Sequence, residues 1–194
     1  MLRTARGGDT IDIEMIARAL DPRKMGPRGL AQLVETLDLL ARADAGIALD
    51  ALDTVTLVTL IARASDQQIA EVARSTRARE MVLGEVFRRM SDHVRADKLT
   101  GSDGVVRWRI DCGEGVEYQR FQTVFAAGAC LTGTSLDRDP SVTVTLGIAD
   151  FLRMAAGGIG FARLVATRRL KFKGDIRYAI KLSGLFDIPK PRRR

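Results

Sequence analysis

VTVTLGIADFLRMAAGGIGFARLVATRRLKFKGDIRYAIKLSGLFDIP, running from Val142 to Pro189, decides the fold. Val142, Val144 and Leu146 alternate with Thr143 and Thr145, which is the period of two of a half-buried strand. The period then lengthens. Ile148, Phe151, Leu152 and Ala155 share one face of a helix, and Asp150 sits in its first turn, where negative charge suits the helix dipole. Gly157-Gly158 ends that helix, and Phe161, Leu164 and Val165 begin another. Leu170 to Gly174 alternates again, with Leu170 and Phe172 inward and Lys171 and Lys173 outward. Ile176, Ala179, Ile180 and Ser183 then predict a last helix, and Leu185 and Phe186 follow before Pro189.

Upstream the same period of two recurs. Val106, Trp108, Ile110 and Cys112 alternate with Arg107, Arg109 and Asp111, and Gly113-Glu114-Gly115 marks a turn. Phe121, Thr123 and Phe125 then oppose Arg120 and Gln122. Gly128 turns the chain into Cys130 to Leu136, and Asp137 to Pro140 makes the next turn. Four strands with such short links predict an antiparallel meander with one wet face. The order β-β-β-β-α-α-β-α leaves the helices as the cover for the other face.

The first half reads as helices. Asp9 or Thr10 caps a helix that Pro22 ends. Leu30, Leu33, Val34, Leu37, Leu40 and Ala41 form an amphipathic stripe. Leu52 to Ala64 is apolar nearly all round and reads as a buried helix, with a strand as the alternative because of Val55, Thr56, Val58 and Thr59. Ser65 and Gln68 have capping-box spacing, and Leu83, Phe87, Met90 and Val94 make a further stripe. The polar segment Arg95 to Gly104 separates the two patterns. The predicted organisation is a separable helical region 1–94, a linker 95–104, an α+β domain 105–189 and a basic tail 190–194. Residues 1–99 balance acidic against basic side chains, so the whole net charge of +7 falls in residues 100–194. Such a field favours an anionic partner.

Several function classes find little support. His93 is the single histidine, and Ser91-Asp92-His93 are neighbours on a helix, so their side chains diverge and form no catalytic triad. One histidine and two distant cysteines, Cys112 and Cys130, make no metal motif, and no metal or cofactor is expected. The glycines at 157, 158 and 160 follow a helix and lack the lysine of a phosphate loop. Apart from Tyr118 and Tyr178 the aromatics fall mainly on inward faces, so the basic residues from Arg168 onward lack the interleaved stacking partners that nucleic acid needs. The apolar runs are too short to span a bilayer and no signal peptide is apparent, so the expected location is cytoplasmic.

Taken as an ordered set, the quoted stretch resembles the sterol carrier protein type-2 family. The strand of alternating threonines leading to Asp150, Phe151 and Leu152, the glycine turn to a second helix, and Leu170 to Asp175 before Lys181-Leu182 carry the resemblance. Val105 to Ile110 fits the family's opening strand, and Ala78 to Met90 looks like the helical leader of bacterial members. The resemblance implies an α+β fold, a five-stranded, mostly antiparallel sheet covered by helices, with an apolar tunnel between them. It implies lipid binding and lipid transport without catalysis, the ligand being a fatty acid, a fatty acyl-coenzyme A or a sterol. The implied tunnel residues are Trp108, Ile110, Phe121, Phe125 and Val144 from the sheet. From the covering helices come Phe151, Leu152, Met154 and Ala155, then Phe161, Leu164 and Val165. Phe172, Ile176, Ile180 and Phe186 complete the set. Arg168, Arg169, Lys171, Lys173 and Arg177 would form a basic rim for an anionic head group or membrane surface. Two other readings use the same residues: a regulatory or scaffold protein with a filled core, and an accessory domain presenting a lipid-linked substrate to a partner enzyme.

Overall fold

The computed structural model describes residues 13–43, 51–99, 101, 103–134, 137–182 and 184–192. The expected cap at Asp9 or Thr10, Leu136, Ser183, Arg193 and Arg194 lie outside the described residues. Among the described residues six α-helices come first: α1 (Ile13–Ala19), α2 (Gly29–Arg42), α3 (Thr54–Arg63), α4 (Asp66–Arg74), α5 (Thr76–Asp92) and a short α6 (Ala96–Leu99). Side-chain caps fix where α3, α4 and α5 begin. Asp53 accepts from Val55 N, Ser75 accepts from Ala78 N, and Ser65 with Gln68 forms a complete capping box at α4. Gln68 also donates to the carbonyls of Pro22 and Met25, which fastens the turn after α1. The helix reading of Leu52 to Ala64 holds: the β-branched run yields to burial, with Val58, Leu60 and Ile61 all in the core.

The sheet is β1 (Gly104–Asp111), β2 (Gln119–Ala126), β3 (Ala129–Gly133), β4 (Val142–Gly147) and β5 (Leu170–Gly174), in the order β3-β2-β1-β4-β5. The helices α7 (Ile148–Ala155), α8 (Phe161–Ala166) and α9 (Ile176–Leu182) complete the order. Three of the four strand pairings are antiparallel, but β4 lies parallel to β1 instead of beside β3. The expected meander is therefore wrong at β4. The connection from β3 crosses the outer face of the sheet, and Gln122 holds it by donating to Arg138 O and accepting from Arg138 N. Ser141 N donates to Val105 O where the crossing ends. The face expected to be wet is covered at this end, so Gln122 and Val124 are buried.

Gly174 closes the sheet edge. Its φ is +114°, and a Cβ there would stand 2.5 Å from Ser141 O. Gly174→Ala is expected to cost about 1–3 kcal/mol of backbone strain and displacement. The check is a urea titration in which the midpoint falls while the slope stays constant.

One core runs through both halves of the chain. Val58, Ile61, Ile69, Leu83, Val86 and Phe87 of the helices pack with Val106, Trp108, Ile110, Phe121, Val144 and Phe151. Phe87 lies between Phe121 (ring centroids 4.0 Å apart) and Phe151 (4.8 Å), both stacked, with Trp108 edge-on. Arg153 of α7 reaches the end of α3 and donates to the carbonyls of Ala62 and Ala64. The segment 95–104 marks a change from helix to strand, not a gap in packing. Leu99 is buried in the common core, and Arg95 N donates to Leu185 O.

Candidate functional site

α5 sets one wall of a cavity. Val86, Arg89, Met90 and His93 follow i, i+3, i+4 and i+7, so they share a face. α3 supplies Leu57, Val58 and Ile61 opposite them, and α7 supplies Phe151, Met154 and Ala155. Ile159 and Phe161 come from the turn after α7 and the start of α8, Leu182 from α9, and Trp108 is the sheet's contribution. Residues 186–189 close the remaining side through Phe186, Ile188 and Pro189. That segment is tied at one end by the Val94–Phe186 bridge and by Asp187 N donating to His93 O. At the other end Arg192 N donates to Thr59 Oγ1 of α3. The result is a strap between two anchors. The cavity volume is about 200 Å³. An apolar cavity of about 150 Å³ holds a benzene ring, and sites for whole drug-sized ligands run to about 300–1,000 Å³. The cavity lies between these two sizes and is partly open to the surface.

The wall is apolar apart from Arg89, Thr54 and His93. Arg89 is buried, and its guanidinium donates to Glu85 Oε1 at 2.5 Å, Thr54 Oγ1 at 2.9 Å and Leu52 O at 2.5 Å. Burial pushes the Glu85 carboxyl up, but hydrogen bonds from Arg88 and Arg89 outweigh it and hold the group below its ordinary value. Ser91 Oγ lies 3.4 Å from Thr132 Oγ1 on β3, whereas His93 lines the cavity, so the two side chains diverge. Among the described residues no group of three or more His, Cys, Asp or Glu is placed to hold a metal. Cys112 and Cys130 are free thiols, and burial pushes Cys130 up to about 11. Among the described residues no helix is long and apolar enough to cross a membrane.

Of the residues expected at the tunnel, Trp108, Phe151, Met154, Ala155, Phe161 and Phe186 meet at the cavity. Ile110, Phe121, Phe125, Val144 and Leu164 are buried in solid core. Leu152 faces a smaller gap, about 70 Å³, between α7 and the first helices. Val165 and Phe172 pack half-buried against the core, away from the cavity wall. Ile176 and Ile180 are 57% and 64% exposed, which corrects their assignment: α9 turns Tyr178, Ala179 and Leu182 inward instead. The five residues of the expected basic rim lie off the cavity wall. Arg169 is bound to Asp150, its Nε 3.0 Å from Oδ2. Lys171 and Lys173 alternate with inward Leu170 and Phe172 and so project from the outer face. Arg168 and Arg177 are exposed, and none of the five lines the cavity. The α3 and α5 wall was missed. Its signal was the apolar stripe of each helix, which does not say what the stripe faces.

The sequence profile described as the SCP-2 sterol transfer family matches residues 83–187, from within α5 to the strap. The chain belongs to the SCP-2 sterol transfer family. This SCP-2 chain is similar to the apo sterol carrier protein 2 of Yarrowia lipolytica at 15% identity, over 58% of this chain and 93% of that one, with a TM-score of 0.45. The palmitated sterol carrier protein of Aedes aegypti, SCP2L2, is 19% identical over 54% of this chain and 90% of that one, TM-score 0.41. A stereoselective inverting sec-alkylsulfatase from Pseudomonas sp. is 14% identical over 92% of this chain, TM-score 0.48, and the chain spans 32% of that enzyme. No curated protein matches the sequence. The SCP-2 match starts twelve residues before the change from helix to strand pattern at Arg95, so it takes in the half of α5 that carries Val86, Arg89 and Met90.

Proposed function

We propose that this chain binds one hydrophobic ligand, a fatty acid, fatty acyl-coenzyme A or sterol-like lipid, non-catalytically in the cavity between α3, α5 and α7. The observation that carries the reading is a wall of Leu57, Val58, Met90, Trp108, Phe151 and Met154 around space that side chains leave unfilled. Each methylene buried there contributes about 0.8 kcal/mol, so an acyl segment binds by dehydration and dispersion without a dedicated polar contact. The segment from Phe186 to Pro189 lifts to admit the rest of the chain.

A fluorescent fatty acid titrated into the protein is expected to saturate near one site per chain and to be displaced by unlabelled fatty acid. Met154→Trp fills the space, so binding falls while stability changes by less than about 1 kcal/mol. If Met154 were solid core, the same change would cost about 1–3 kcal/mol of overpacking. Absence of saturable binding with a fatty acid, an acyl-coenzyme A and a sterol alike overturns the reading and leaves a filled-core scaffold.

A further inference from the structure

The open end of the outer sheet face carries a cationic row. Arg109 on β1 stands in register with Arg120 on β2 on one side and Thr145 on β4 on the other, and Thr145 is in register with Lys171 on β5. Arg138 of the crossover sits against Gln122, whereas Arg120, two residues along β2, and Lys171 on β5 are exposed. Strand spacing puts the arginine backbones about 5 Å apart and Lys171 about 10 Å from Arg109. Two like charges directly opposite each other destabilise a strand pair, so the register has a cost that packing does not explain.

Arg109 shows that the row is built. Its guanidinium carbon lies 4.4 Å from the centroid of Tyr118, which holds the side chain down on the face. Its Nε is buried and has no hydrogen-bond partner among the described residues. Neither Arg109 nor Arg120 makes an ion pair among the described residues. Asp111, two residues along β1 on the same face, spends Oδ1 on Gly113 N.

We infer that Arg109, Arg120, Thr145 and Lys171 form a binding site for a phosphate group on the sheet face opposite the cavity. A tetrahedral dianion has acceptor oxygens for two guanidinium forks, a hydroxyl and an ammonium at once, whereas a planar carboxylate saturates one fork. The phosphate would neutralise the Arg109–Arg120 repulsion, so binding and stability are coupled at this one pair. The group comes from a soluble phosphate or from phospholipid heads at a bilayer surface, and the two sources separate experimentally. The site is independent of the cavity, and fatty-acid titration of the same variants keeps the two apart.

The test compares wild type with Arg120→Gln and, as a second variant at an exposed position, Lys171→Gln. Removing Arg120's charge is expected to raise the melting temperature by about 1–3 °C in chloride buffer. Inorganic phosphate, against chloride at equal ionic strength, is expected to raise the melting temperature of wild type, with the gain lost in both variants. Affinity for phosphate should fall at least tenfold. A head-group source would instead show as sedimentation with phosphatidylcholine vesicles containing phosphatidic acid, whose head is a phosphomonoester, not with phosphatidylcholine alone, and would be lost in both variants. Equal responses of wild type and both variants in the phosphate and vesicle arms overturn the site.

Discussion

A chain shortened to begin at Lys98 is expected to lose cooperative unfolding altogether. The inner face of the sheet carries Val106, Trp108, Ile110, Phe121, Phe125 and Val144, and its cover includes Leu83, Val86 and Phe87 from α5 with Val58 and Ile61 from α3. Phe87 is stacked on both Phe121 and Phe151, and Thr132 Oγ1 donates to Phe87 O at 2.8 Å. Removing Phe87 alone, as Phe87→Ala in the full chain, is expected to cost about 3–5 kcal/mol. Whole domains hold about 5–15 kcal/mol, so deleting α1 to α5 exceeds what remains. Near-ultraviolet circular dichroism and calorimetry of the short chain should show no fixed tertiary signal and no single transition. A sharp melt from the chain starting at Lys98 would mean that the sheet and α7 to α9 close their own core, as the polar composition of 95–104 suggests in the sequence.

Arg89→Leu is expected to be nearly as damaging, at about 3–5 kcal/mol, because it strands Glu85 in the core and leaves Leu52 O and Thr54 Oγ1 without their donor. Arg88 also pairs with Glu85 and sets the lower end of that range. The double change Glu85→Leu with Arg89→Leu should cost less than the single one, since it removes the uncompensated charge with its partner. Acid supplies an independent check. The Glu85 carboxyl titrates lower in the folded than in the unfolded chain. Its contribution is therefore whole at neutral pH, starts to fade below about pH 4.3 where the unfolded carboxylate takes up its proton, and is gone beneath the folded value. Glu85→Gln should flatten that part of the acid limb in a pH series of denaturant midpoints. An unchanged limb would show that the pair does not titrate with folding.

β1, β2, β4 and β5 were legible because each alternates through its own residues: Val106, Trp108 and Ile110 are inward and Arg107 and Arg109 outward, as their spacing requires. The capping box at Ser65 and Gln68 was legible for the same local reason. What alternation does not encode is which strand lies next to which. The parallel pairing of β4 with β1 depends on a connection that passes β2 and β1, and the contacts of Arg138 with Gln122 and Arg107 show its path. In α9, Ile176, Ala179 and Ile180 make one helical stripe and Tyr178, Ala179 and Leu182 another. The second wins because Tyr178 packs where Gly104 leaves room: a Cβ on Gly104 would stand 2.7 Å from its ring. The cavity was half legible. Met154, Phe151 and Trp108 belong to it, but Leu57, Met90 and His93 come from helices whose apolar faces are compatible with any partner.

The strap over the cavity also orders events during synthesis. α3 and α5 leave the ribosome before any strand, and their inward faces stay without partners until Phe121 and Phe151 follow. The strap's far anchor joins Arg192 to Thr59 across 133 residues, so it forms only after β1 to β5 have been made. Until then Ile188 and Pro189 are not in place and the cavity has an open side. In a chain still being made the cavity therefore stays open on that side, and it narrows only once Phe186 to Pro189 settle against α3 and α5.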